Sequence, residues 1–315
     1  MTESQQRTRL PLVAALLAAV LAPACGDAPP SREPAAADTS ASAPASLPPA
    51  RYVTLLAWTA EGGSPSGVLW LENATDEAGD LSRRYRGWRV DGDAVRPVLS
   101  VDDSLPVAAA AWRPLPAPGL RLSVDPRGRL SSLDAGDGEL GLRLNREIAS
   151  WQGATGADQR LRSGRLRTVS EDGDTTSTPV TAAVLRFERL PDDPGPAGPL
   201  RTLLLAGEGG RGLLVLDEGA RRPWSRGWSW DADGALEPLD DAALPDTARG
   251  PDAWTFRPPL RNGGRAAWTV SGADSLPAQA GGEEGTPPFT VLPAEARSGE
   301  SGGGPPARGF LLVAP

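Results

Sequence analysis

The stretch from Thr54 to Glu72, TLLAWTAEGGSPSGVLWLE, reads as two apolar runs of strand length separated by a Gly, Ser and Pro turn. It returns at Thr202 to Asp217 as TLLLAGEGGRGLLVLD. Three further echoes follow in the same order. Arg86-Gly87-Trp88 with Asp91 matches Arg226-Gly227-Trp228 with Asp231, Leu105-Pro106 matches Leu244-Pro245, and Trp112 matches Trp254. The offset stays between 139 and 148 residues, which points to an internal duplication.

Outward from these runs the chain alternates short apolar segments with turns. Val53 to Trp58, Val68 to Leu71, Leu120 to Val124, Thr181 to Leu190, Leu203 to Ala206, Leu213 to Leu216, Ala266 to Val270 and Phe310 to Val313 are expected strands. Asp125-Pro126-Arg127-Gly128 and Asn262-Gly263 supply turn chemistry. No stretch after residue 50 keeps helical periodicity for three turns. The expected fold is all-β, with two duplicated antiparallel lobes, lipocalin-like barrels or sandwiches, over residues 50–165 and 166–315. Asp172 to Thr178 reads either as a turn between strands or as the linker between the lobes.

Composition narrows the chemistry. The chain of 315 residues has 33 Pro and 37 Gly, too many breakers for a helical bundle or a coiled coil. There is no His and no Lys, so imidazole bases, Ser-His-Asp triads, His metal sites, Schiff-base lysines and P-loops are excluded. The net charge of −8 argues against a nucleic-acid partner. Arg160, Arg162, Arg165 and Arg167 alternate with apolar residues, with a slip of phase at Ser163-Gly164. They read as the solvated face of a strand.

The amino terminus is an export signal. Arg7 and Arg9 precede an apolar run from Leu10 to Leu21, 12 residues long and too short to span a bilayer. Ala22-Pro23-Ala24-Cys25-Gly26 resembles the lipobox of bacterial lipoproteins, although Ala22 stands where Leu is usual and Pro23 is uncommon at its place. That resemblance implies a signal peptide over 1–24, cleavage before Cys25 and lipid attachment to it. Several acyl chains would then anchor the protein to a membrane of the bacterial envelope, on its periplasmic or outer-surface side. Residues 25–49, rich in Ala, Pro and Ser, are expected to be a disordered tether. A single Cys excludes an internal disulfide.

The paired halves, the Trp-bearing strands around Trp58, Trp70 and Trp88, and the closing run Gly309 to Val313 resemble the two-lobed lipocalin-like proteins of the carotenoid hydratase type. The Glu-Trp-Trp signature of that family is missing, so no catalytic residue is carried over. The resemblance implies a binding member of the family.

Ten Trp are available to fill cores or to build a site. On one strand Trp224, Arg226, Trp228 and Trp230 would share a face, a stripe suited either to a hydrophobic or sugar ligand or to packing; Arg86 and Trp88 are the matching positions of the first half. Carboxylates are the acid/base groups that remain. Glu61 with Glu208 and Glu72 with Asp217 are the candidate pairs for a carbohydrate-active enzyme. Asp172-Gly173-Asp174 and Asp231 to Asp233 are weak candidates for Ca²⁺, without the twelve-residue loop of an EF-hand. No cofactor and no metal is expected. The leading reading is an envelope-anchored lipoprotein that binds an apolar or amphipathic ligand or an envelope partner. The alternatives are that enzyme and an assembly lipoprotein without a small ligand.

Overall fold

A computed structural model describes residues 50–91, 94–105, 111–153, 157–170, 172–189, 200–207, 211–217, 225–230, 235–239, 242–245, 254–257, 268–272, 290–298 and 306–314. The expected signal, Cys25 and the expected tether lie outside the described residues. Among the described residues no helix is long and apolar enough to cross a membrane.

The described residues form seventeen antiparallel strands in two sheets. The first sheet holds β1 (Ala50–Ala60), β2 (Ser66–Thr75), β3 (Leu81–Asp91), β4 (Ala94–Leu105), β5 (Leu120–Val124), β6 (Leu130–Ala135), β7 (Leu140–Gln152), β8 (Asp158–Val169) and β9 (Thr175–Arg189). The second holds β10 (Leu200–Gly207), β11 (Gly212–Asp217), β12 (Ser225–Trp230), β13 (Leu236–Leu239), β14 (Trp254–Phe256), β15 (Trp268–Gly272), β16 (Thr290–Ser298) and β17 (Pro306–Ala314).

Both sheets follow one plan. The first runs in the order β4-β3-β2-β1-β9-β8-β7-β6-β5 and the second β13-β12-β11-β10-β17-β16-β15-β14. Each is an up-and-down meander whose first strand pairs with its last, and each breaks after its fourth strand. The registers match as well. The row Ala183, Ala57, Val68, Trp88, Pro97 of the first sheet corresponds to Phe310, Leu204, Leu214, Trp228, Pro238 of the second. Duplicated lobes are therefore visible in hydrogen bonding, and the Arg-Gly-Trp echo marks equivalent positions on β3 and β12.

The division between the lobes lies elsewhere than the sequence suggests. The first sheet ends with Arg189 and the second begins with Leu200, so a boundary after residue 165 would cut β8. β9 belongs to the first lobe because its ladder with β1 runs from Arg51↔Arg189 to Ala60↔Val180. Ser170 and Asp174 bond across a tight turn between β8 and β9, which makes the Asp172-Gly173 segment a turn and not the linker.

Side-chain alternation divides the core into three clusters. One face of all nine strands of the first sheet meets around Trp58, Leu69, Tyr85, Leu120, Leu142 and Leu166. A nine-stranded sheet can gather that face into one cluster only by curling, and we call it the inner face. The second sheet does the same around Leu203, Val215, Trp254, Trp268 and Leu311. The third cluster joins the outer faces, with eleven buried residues from the first sheet and eight from the second. β1, β2, β10, β11 and β17 are thus buried on both faces, which is why they read as near-continuous apolar runs.

Candidate functional site

Three of the sequence candidates stand in the packing between the sheets. Trp88, Trp228 and Trp230 are 7%, 8% and 7% exposed within the outer-face cluster, and the Trp228 ring lies 3.9 Å from that of Trp151 across the junction. Arg86 is buried beside them and donates from Nη1 to the carbonyl oxygens of Val101 (2.6 Å) and Tyr85 (3.0 Å). Arg226 is exposed on the same strand as Trp228. Trp224, Glu208 and Asp231 to Asp233 lie outside the described residues.

The candidate carboxylates are engaged with arginine. Glu72 meets Arg51 at 2.7 Å and accepts from Trp70 Nε1, while Asp217 is buried against Arg201. They stand on different sheets, and Glu61 is exposed in the turn after β1. Among the described residues no group of three or more Cys, Asp or Glu gathers as a metal site.

Buried polar groups pin the chain where each sheet breaks. In the first lobe Asn73 Nδ2 donates to the carbonyls of Ala111 (2.9 Å) and Arg113 (2.7 Å), and Tyr85 Oη donates to Asn73 Oδ1 while accepting from Leu115 N–H. Arg83, paired with Asp103, reaches the carbonyl of Pro116. Burial pushes the Tyr85 hydroxyl pKa up. In the second lobe Arg201 donates to the carbonyls of Leu244 and Pro245, and Asp217 accepts from Leu244 N–H. Each clamp fixes the segment that leaves the fourth strand.

Along β8 and β9 the inner side of the first sheet passes from apolar to cationic residues. β8 pairs with β9 without a shift from Arg160↔Val184 to Val169↔Thr175, so residues 160, 162, 164 and 166 share one side. Leu166 belongs to the inner cluster, which places Arg160 and Arg162 on the inner side too. Leu161, between them, packs against the second sheet. The slip of apolar phase at Ser163-Gly164 is thus a change in which face is buried, not a break in the strand. Arg165 and Arg167 are solvent-exposed, as the sequence suggests, whereas Arg160 and Arg162 are half-buried.

Arg186 of β9 joins them on the inner side, beyond Ala182 and Val184. The fully buried Gln159 fixes it by bonding both ways to its backbone, Nε2 to O at 2.9 Å and N–H to Oε1 at 2.8 Å. The Arg186 guanidinium reaches the Trp112 carbonyl at 2.5 Å and lies 5.6 Å from the centre of its ring. Arg113 lies 5.8 Å from the same ring. Trp112, 38% exposed, is the large apolar side chain left open to solvent among the described residues. Burial lowers the pKa of both Arg162 and Arg186, and nearby Arg160 adds to that effect. Alternation taken from Leu166 as an inward residue signals Arg160 and Arg162 in the sequence, whereas Arg186 and Trp112 join them only through the fold.

No protein-family model and no curated protein matches this chain. Among solved structures, a candidate AttH from Nitrosomonas europaea is similar at 12% identity over 86% of this chain and 94% of that one, with a TM-score of 0.46. CghA is similar at 12% identity over 84% and 87% of the two chains, TM-score 0.41. A DUF3598-family protein of unknown function from Nostoc punctiforme covers 84% of this chain and 94% of its own at 13% identity, TM-score 0.19.

Proposed function

We propose that the protein is an envelope lipoprotein, held to a membrane through Cys25, whose β module binds an amphipathic ligand at the cationic end of its first sheet. The observation that carries the reading is the change along β8 and β9 from Leu166 and Val180 to Arg160, Arg162 and Arg186, the last of them beside the open indole of Trp112. The inner side is filled by its own side chains, with Trp58 and Tyr85 fully buried, so the ligand rests at the surface, its apolar part on Trp112 and its polar part among the guanidiniums.

Two measurements test this. Titrating the non-lipidated Cys25→Ser chain with dodecyl maltoside below its micelle concentration is expected to change tryptophan fluorescence, and Trp112→Ala is expected to weaken the binding about tenfold or more. Binding that ignores Trp112, or no binding at all, overturns the ligand reading. Anchoring is tested separately: the Cys25→Ser chain should leave the membrane fraction, and its retention there would rule out a lipid on Cys25.

A further inference from the structure

We propose that the cationic end of the first sheet is an oxyanion site, in which Arg162 and Arg186 bind a phosphate or carboxylate group. The inference deepens the reading above by naming the polar group that the guanidiniums take.

The distribution of charge decides it. Arg160 meets both Glu147 and Asp158, and Arg129 meets Asp125, so the three carboxylates of the cluster are already engaged. Arg162 and Arg186 form no salt bridge among the described residues. Their guanidiniums bond to backbone carbonyls alone: Leu130 (2.8 Å) and Asn145 (2.7 Å) for Arg162, Trp112 and Arg127 for Arg186. Arg162 reaches Leu130 and Arg186 reaches Arg127, so both guanidiniums converge beside the β5–β6 turn.

Two half-buried cations without a salt bridge are costly: Glu147 near Arg162 and Asp158 near Arg186 offset the burial only in part, while Arg160 repels both. A bound oxyanion relieves both terms at once. Donors remain to receive it, since the Nε–H groups of Arg160 and Arg162 are buried without a partner. Guanidinium is the side chain whose planar fork suits carboxylate and phosphate. The chain as a whole carries −8, so anion affinity here comes from the local cluster and not from the net field.

Calorimetric titration of the full-length Cys25→Ser chain with inorganic phosphate tests the site, with dodecyl phosphate and dodecyl maltoside in parallel. Arg162→Gln and Arg186→Gln are each expected to raise the phosphate Kd about tenfold or more, the scale of a lost charge-assisted hydrogen bond. Arg165→Gln removes the same charge from the exposed side of the same strand and should change Kd less than about twofold. If Arg186→Gln fails to fold, Arg186→Lys keeps the charge without the fork and must still weaken phosphate binding. Phosphate that does not bind at about 100 mM, or binds equally to the Arg162 and Arg186 variants, overturns the proposal. Dodecyl phosphate binding more tightly than phosphate identifies an amphiphile headgroup as the source; equal affinities identify a free anion and remove the amphiphile reading while the oxyanion site stands. Dodecyl maltoside binding with no phosphate response keeps the amphiphile reading and eliminates the oxyanion site.

Discussion

Two glycines explain how indoles fit against neighbouring strands. A Cβ on Gly67 would stand 2.3 Å from Trp58 Cζ2, and one on Gly212 would stand 2.0 Å from Trp230 Cζ2. Each glycine begins a strand that must admit a large ring. Gly67→Ala and Gly212→Ala are therefore expected to cost about 1–3 kcal/mol in urea unfolding, the ordinary penalty of overpacking. Equal stability of variant and parent would show that the rings move aside freely. In sequence the two glycines look equivalent, yet Trp58 packs on the inner face of its sheet and Trp230 on the outer face. Hydrogen bonding explains this: equivalent rows lie 147 residues apart on β1 and β10 and 146 apart on β2 and β11, whereas the sequence echo gives 148 and 145. One residue of register turns a side chain to the opposite face. The identity of the core residues was legible, but the face each one serves was not.

At the scale of strands and their connections, buried ion pairs fix what the apolar pattern leaves open. Asp217 is 4% exposed and Arg201 is 7% exposed. Asp217→Ala leaves the guanidinium buried alone and frees Leu244, so about 3–5 kcal/mol of stability should be lost. The double change Arg201→Met with Asp217→Leu should cost clearly less, and chemical denaturation of both variants distinguishes a clamp from mere packing. A single variant no worse than the double would contradict the clamp. Near the surface, Glu295 of β16 accepts from Arg308 of the adjacent β17 and from Arg297, and these bonds hold its carboxyl below the ordinary 4.5. A depressed carboxyl contributes stability that is complete above its unfolded value and lost as pH falls through the lower folded one. The melting temperature should therefore drop between about pH 5 and pH 3, and Glu295→Gln should flatten that slope by less than about 1 kcal/mol, the worth of an exposed pair. An unchanged slope would show that this pair adds nothing. Strands buried on both faces were legible because their apolar runs are continuous. β3, β7 and β16 were not, because arginine, glutamate and proline alternate through them and mask a period of two.

For the whole molecule the decisive contact is sheet on sheet. Equivalent rows of the two lobes, Ala57-Val68-Trp88 and Leu204-Leu214-Trp228, meet in one cluster, so the duplication buries its own repeated surface. A lobe parted from the other would expose its share of that cluster to water, Trp70, Trp88 and Trp151 from the first and Trp228, Trp230 and Phe310 from the second. The same surface explains why a stripe that the sequence left open between a ligand floor and packing is buried: alternation places Arg226, Trp228 and Trp230 on one side, but nothing local says that a second sheet covers the two indoles. The lobes should consequently unfold together. Trp228→Ala removes a ring whose centre lies 3.9 Å from that of Trp151 and should cost about 3–5 kcal/mol, with the cavity left between the sheets. Differential scanning calorimetry should record one transition for the parent chain. Loosening the junction should then either lower that single transition or split it into two as each sheet melts around its own inner cluster. Phosphate affinity at Arg162 and Arg186 should survive in the folded variant, because those side chains stand on the inner side of the first sheet. Loss of phosphate binding with no loss of stability would place the ligand between the sheets and return Trp228 to the site.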